Sequence, residues 1–193
     1  MRITGIEIPP PSCLASVRVT RAEGDFRQKL IEQFVSDVDD AESLERHRKL
    51  ERTEEWLSTR DELEVWRVGC PCGDEKGKIF GVGVDQEFSA PVFYGCTKCA
   101  ARGLIFDPSL HGYNAETAKK KKKVRAAPPA KAALHCRGCK TTVWRPAVVV
   151  TYQGEPPNIA PGRGLQDYFD AILIGGQCIG CSNFALRYSA ECA

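Results

Sequence analysis

Gly69-Cys70-Pro71-Cys72-Gly73, entered from Leu63, Val65, Trp66 and Val68, is the stretch on which the reading of the chain turns. It is an extended apolar segment running into a tight turn. Glycine on either side lets the backbone bend its amides toward the sulfurs, because glycine reaches φ values closed to other residues. Three more close pairs follow: Cys96 with Cys99, Cys136 with Cys139, and Cys178 with Cys181. Eight of the ten cysteines are used in this way. Two thiolates one or two residues apart can face a single ion, and two such pairs brought together by folding make the tetrahedral four-cysteine site that zinc favours. Four pairs therefore predict two zinc ions. The intervals between pairs, 23 residues in the first half and 38 in the second, are long enough to hold the strands that close each site.

Disulfides are the competing use of these cysteines, and they require an oxidising compartment. A secreted chain is expected to open with a basic start and an apolar run of about 7–15 residues. Met1 to Pro9 instead alternates polar and apolar residues and reads as a strand. No apolar run reaches the ~18 residues of a membrane helix. The expectation is a protein of the reducing cytoplasm with no membrane partner.

Outward from the cysteines, the first half continues with β-rich runs at Ile79 to Val84, Val92 to Tyr94 and Leu104 to Phe106. The second half follows the same plan, with Leu134-His135-Cys136 opening it, Thr142 to Tyr152 supplying a strand, and Ala185 to Tyr188 leaving the last pair. Leu165, Tyr168, Phe169, Ile172 and Leu173 have helix-compatible spacing, so a short helix is expected over 166–174. On the N-terminal side, strands are expected at 3–8 and 14–20, separated by Pro9-Pro10-Pro11. Phe26, Leu30, Ile31, Phe34 and Val35 fall on one helical face and predict a helix over about 23–36. A polar second helix is expected over about 40–57, with spaced pairs such as Glu42 with Arg46 and Glu45 with Lys49. The predicted fold class is thus α+β: N-terminal strands and two helices, then two small antiparallel β units. The predicted organisation is 1–62 for the N-terminal segment, 63–116 for the first metal unit, 117–133 for a Lys/Ala/Pro linker, and 134–193 for the second.

These knuckles resemble the zinc-ribbon class, in which two β-turns hold an ion between four cysteines before a small sheet. The resemblance spans about residues 64–106 and 134–190 and implies tandem ribbons with Cys70, Cys72, Cys96 and Cys99 on one ion and Cys136, Cys139, Cys178 and Cys181 on the other. Zinc ribbons include nucleic-acid binders, transcription subunits, and adaptor or inhibitor modules. Cys70-Pro71-Cys72 departs from the common spacing by one residue, which bears on the angle of that knuckle.

Charge is distributed unevenly although the net is only +2. Asp37 to Glu64 carries eleven acidic and five basic side chains, whereas Lys119 to Arg145 carries ten basic and no acidic ones. A near-neutral total argues against a protein that coats a duplex. Four thiolates close the zinc shell, leaving no position for a reactive water, and neither a complete phosphate-binding glycine loop nor a deaminase motif is present. The expectation is a non-catalytic protein with no small-molecule substrate, acting as a protein-interaction module: an adaptor, a regulator or an immunity-type inhibitor. Nucleic-acid binding is the second expectation. It would use Lys119, Lys120, Lys121, Lys122, Lys123, Arg125, Lys131, Arg137, Lys140 and Arg145 on phosphates, with Trp144 as a stacking platform. A thiol redox switch is the third. His111 is expected to be a surface or supporting histidine, and Cys13 and Cys192 to be small buried hydrophobes.

Overall fold

The computed structural model describes residues 9–38, 63–84, 87–111, 132–152, 164–169 and 171–191. Within them lie a 3-10 turn at Ser12–Leu14, β1 (Arg18–Arg21), α1 (Gly24–Val38), β2 (Leu63–Gly69), β3 (Gly77–Val84), β4 (Glu87–Cys96) and β5 (Arg102–Phe106). β6 (Ala132–Ala133), β7 (Trp144–Thr151), a second 3-10 turn (Leu165–Asp167), β8 (Ala171–Cys178) and β9 (Phe184–Glu191) follow.

All nine strands belong to one sheet, and every pairing in it is antiparallel. This corrects the expected α+β arrangement of two helices followed by two small ribbons. The described residues form a mostly antiparallel β structure with one α-helix. The reason lies in the strand that precedes each first knuckle. β2, which delivers Cys70, pairs with β7 of the other ribbon through Leu63 opposite Thr151 to Arg67 opposite Ala147. β6, which precedes Cys136, pairs with β3 through Phe80 opposite Ala133 and Gly81 opposite Ala132. Between these exchanged strands, Gly77 of β3 pairs with Trp144 of β7. The exchange joins the two halves into one sheet.

Counted from the cysteines, the two halves pair position for position as far as Phe80 opposite Phe93; beyond it β3 and β4 shift register, which β7 and β8 do not. Gly77, five residues after Cys72, faces Cys96; Trp144, five after Cys139, faces Cys178. Gly95 faces Arg102 as Gln177 faces Phe184. Both halves also carry a register shift at the same place, between Val92 and Phe93 in one and between Ile174 and Gly175 in the other.

β7 explains its own apolar run. Successive side chains point to opposite faces of a strand, and here both faces are covered. Ala147 and Val149 join Val65, Leu173 and Leu186 beneath Phe26, Leu30, Ile31 and Phe34 of α1. Val148 and Val150 join Trp66, Val68, Ile172, Ile174 and Tyr188 in a second core that takes in Ile79, Tyr94 and Phe106 of the first ribbon. Each α1 side chain taken out of water contributes about 1.5–3 kcal/mol, which is why its spacing was legible.

Two local expectations change. Among the described residues of 166–174 no α-helix forms: a 3-10 turn ends at Asp167 and Ile172 to Ile174 lie in β8, because a centre buried on both faces accepts a continuous apolar strand. Of the strand expected over 14–20, only the stretch from Arg18 is extended, as β1, whose register runs from Arg18 opposite Gly69 to Arg21 opposite Trp66; Leu14 ends the 3-10 turn before it. The strand expected over 3–8, the helix over 40–57 and most of the linker lie outside the described residues; Ala132 and Ala133 at the linker's end form β6.

Candidate metal centres

Each knuckle is a tight turn closed on its first cysteine. The amides of Cys96, Cys136 and Cys178 each donate to the carbonyl five residues ahead, at Ala101, Thr141 and Asn183, all at 2.8 Å. In the shortened knuckle the Cys70 amide donates to Asp74 O, four residues ahead, also at 2.8 Å. The residue after the second cysteine is left-handed in every case: Gly73 at φ 94°, Ala100 at 58°, Lys140 at 63° and Ser182 at 60°. The shorter turn takes the widest φ, and it is the one that has glycine. A left-handed non-glycine residue costs roughly 1–2 kcal/mol, so Ala100, Lys140 and Ser182 are held there by their surroundings.

The four turns gather eight sulfurs into two groups, Cys70, Cys72, Cys96 and Cys99 in one and Cys136, Cys139, Cys178 and Cys181 in the other. Within each group the ligand atoms lie within 4.8 Å of one another. Cys70 Sγ is 3.4 Å from Cys99 Sγ and Cys72 Sγ is 3.7 Å from Cys96 Sγ. The corresponding distances in the second group are 3.6 Å for Cys136 with Cys181 and 3.4 Å for Cys139 with Cys178. A disulfide would bring two sulfurs to about 2.05 Å. Four sulfurs each about 2.3 Å from one tetrahedral ion lie about 3.8 Å apart, near the separations of these four pairs. Both groups could therefore hold a metal ion.

The first cysteine of each pair is buried and the second lies at the surface. Burial of several thiols side by side has an electrostatic consequence. The Cys99 amide, with that of Lys98, pulls Cys96 down to about 6, and the Cys139 amide, with that of Gly138, does the same for Cys136. Desolvation and the neighbouring sulfurs push Cys178 up to about 12. Cys70 also rises to about 12: a Cys72 amide favours its thiolate, but burial and the adjacent thiols outweigh it. Without a cation the sulfurs compete for negative charge; a divalent ion removes that competition.

Trp144 is fully buried, and its indole Nε1 donates to Leu134 O at 3.0 Å, so it offers no face for stacking. Lys140 is exposed and occupies a left-handed position of its knuckle. Lys119 to Lys123, Arg125 and Lys131 lie outside the described residues. His111 belongs to neither sulfur group; its Nδ1 accepts the Asp107 amide at 3.0 Å. Cys13 is buried away from both groups, and Cys192 lies outside the described residues. Among the described residues no helix is long and apolar enough to cross a membrane. No protein-family model, curated protein or solved structure matches the chain.

The left-handed positions are the site feature that the pattern reading missed outside Gly73. Ala100, Lys140 and Ser182 have no propensity for that conformation. Their signal is positional: each immediately follows the second cysteine of a pair.

Proposed function

We propose that this is a non-catalytic zinc protein of the reducing cytoplasm, in which two structural four-cysteine sites hold tandem ribbons rigid as a protein-interaction module. One observation carries the metal reading: in each group four cysteine sulfurs lie within 4.8 Å of one another, close enough to share one ion. A shell completed by the protein has no place for a reactive water or substrate, so the ion's contribution is to folding. Zinc is the ion that four thiolates at this spacing suit best. The sulfur separations favour a compartment that keeps thiols reduced.

The binding role is that of an adaptor, regulator or immunity-type inhibitor. It is supported by a sheet whose shape is set by metal and by two cores, so that its surface is presented with little ordering cost. The nucleic-acid alternative is weakened by the burial of Trp144, because stacking on an aromatic face is what such binding uses besides charge.

Elemental analysis of natively purified protein tests the metal reading, with two zinc ions per chain expected. Fewer than about one equivalent, or sulfurs found bonded to one another, overturns it. For the binding role, capture of partners at two salt concentrations is decisive. A protein partner retained at high salt supports the module, and retention of nucleic acid alone with steep salt dependence overturns it.

A further inference from the structure

The sheet face beneath α1 has a counterpart in the first ribbon that no described helix covers. In the second ribbon Ala147, Gly175 and Leu186 form one hydrogen-bonded row across β7, β8 and β9. Ala147 and Leu186 are buried in the core that α1 completes. The positions equivalent by distance from the cysteines are Phe80, Phe93 and Leu104, one row across β3, β4 and β5. These three are larger and more apolar as a set, yet each is only half-buried and none belongs to either core.

The next row on the same face is Lys78, Gly95 and Arg102. Lys78 and Arg102 are exposed. The Arg102 guanidinium stands 5.3 Å from the centroid of the Phe80 ring. That ring packs against Gly95, where a Cβ would come within 2.5 Å of it. The result is an apolar aromatic strip edged by cations. Side chains of this size that stay half-buried on a sheet face gain further burial only from a covering element.

We infer that this strip is the docking site for an acidic amphipathic helix of a partner protein, seated as α1 is seated on the second ribbon. A helix is indicated because the same face, in the same register, is filled by one elsewhere in the molecule. Its apolar residues follow the spacing that α1 uses in Phe26, Leu30, Ile31 and Phe34. Acidic flanks are indicated because Lys78 and Arg102 border the strip and meet carboxylates at favourable distance. The inference rests on the interaction-module reading and gives it a location and a partner chemistry.

The test uses the full zinc-loaded chain and two designed helical peptides, both with leucines at i, i+4, i+7 and i+11, one with glutamates and the other with lysines elsewhere. The glutamate peptide is expected to bind, with amide signals over 78–81, 91–95 and 102–106 shifting. Phe93→Ser should weaken binding by about tenfold or more, since a central aromatic carries much of such an interface. Lys78→Glu with Arg102→Glu, both at exposed positions, should reverse the preference toward the lysine peptide. Equal binding of both peptides, shifts confined to another face, or a concentration-dependent dimer that shields the strip overturns the inference. Zinc is measured on the same samples. Full metal with no peptide binding overturns the docking site alone, whereas absent metal overturns the reading beneath it.

Discussion

Near the sulfur groups the two halves of the molecule pair their strands in the same register, and among the described residues they differ in what covers them. The second carries α1 across Ala147, Val149, Leu173 and Leu186. The first presents Phe80, Phe93 and Leu104 half-buried in the equivalent place. The difference teaches that metal and cover do separate work. Both halves have a sulfur site that could fix the turns at one end of their strands, but among the described residues only the second has a helix over the other face. A site at the strand ends organises the backbone; it does not remove side chains in the middle of a face from water.

The comparison can be broken most severely at the sulfurs. Replacing the buried ligands Cys136 and Cys178 with serine should abolish cooperative folding of the whole chain, because the ~10–16 kcal/mol of a structural zinc site matches or exceeds the stability of a domain this size. The first ribbon should fail with it, since β2 and β6 each pair with the other half. Thermal unfolding followed by circular dichroism checks this. A variant that keeps one zinc and half its protected amides would show that the ribbons fold independently.

Equivalent leucines sharpen the comparison. Leu186→Ala removes a side chain packed under α1 and should cost about 2–4 kcal/mol, the usual cost of a buried leucine. Leu104→Ala, at the equivalent but half-buried position in the first half, should cost less than about 1 kcal/mol. Chemical denaturation of the two variants measures both. Equal losses would mean that the first face is as well covered as the second.

Acid should act on both ribbons with the same sign. Protons and zinc compete for the thiolates, and Cys70 and Cys178 hold their protons up to about 12. Loading at neutral pH therefore expels at least one proton per site, and affinity should rise at least about tenfold per pH unit. Cys96 and Cys136, drawn down to about 6 from an ordinary 9.0, are thiolates above that value. The stability they contribute is complete above about pH 9 and is lost as pH falls through 6. Competition with a chromogenic chelator between pH 5.5 and about 8 should show a slope that steepens toward acid. A flat profile would contradict thiolate ligation.

The smallest effect separates two glycines of the second site. A Cβ on Gly180 would stand 2.8 Å from Cys139 Sγ, while one on Gly138 would stand 3.9 Å from the Cys136 and Cys181 sulfurs. Gly180→Ala should displace a ligand and weaken metal retention severalfold, and Gly138→Ala should leave it nearly unchanged, on the scale of about 1 kcal/mol between them. Chelator-driven release rates compare the two.

How much of this was legible depended on the range over which each feature is determined. The cysteine pairs, the strands beside them and the periodicity of α1 are written within a few residues of themselves. Their geometry follows from turn closure over four or five residues and from the two periods of regular structure. The partner of a strand is different. Backbone donors and acceptors are alike at every residue, so nothing local told that Leu63–Gly69 would pair with β7 rather than with its own ribbon. The misread segment at 166–174 has the same origin: Ile172, Leu173 and Ile174 suit a helix or a doubly buried strand equally, and the faces of β8 decided between them.

By itself, then, the amino-acid order determined where thiolates come in pairs, where the chain must turn and which helix has an apolar side, because those depend on contacts between near neighbours. Only the tertiary structure decided that the halves exchange strands into one sheet, that Trp144 is sealed inside it, and that Phe80, Phe93 and Leu104 share a half-buried row. Those outcomes depend on which distant segments meet, and that is settled by how all the apolar faces can be closed at once.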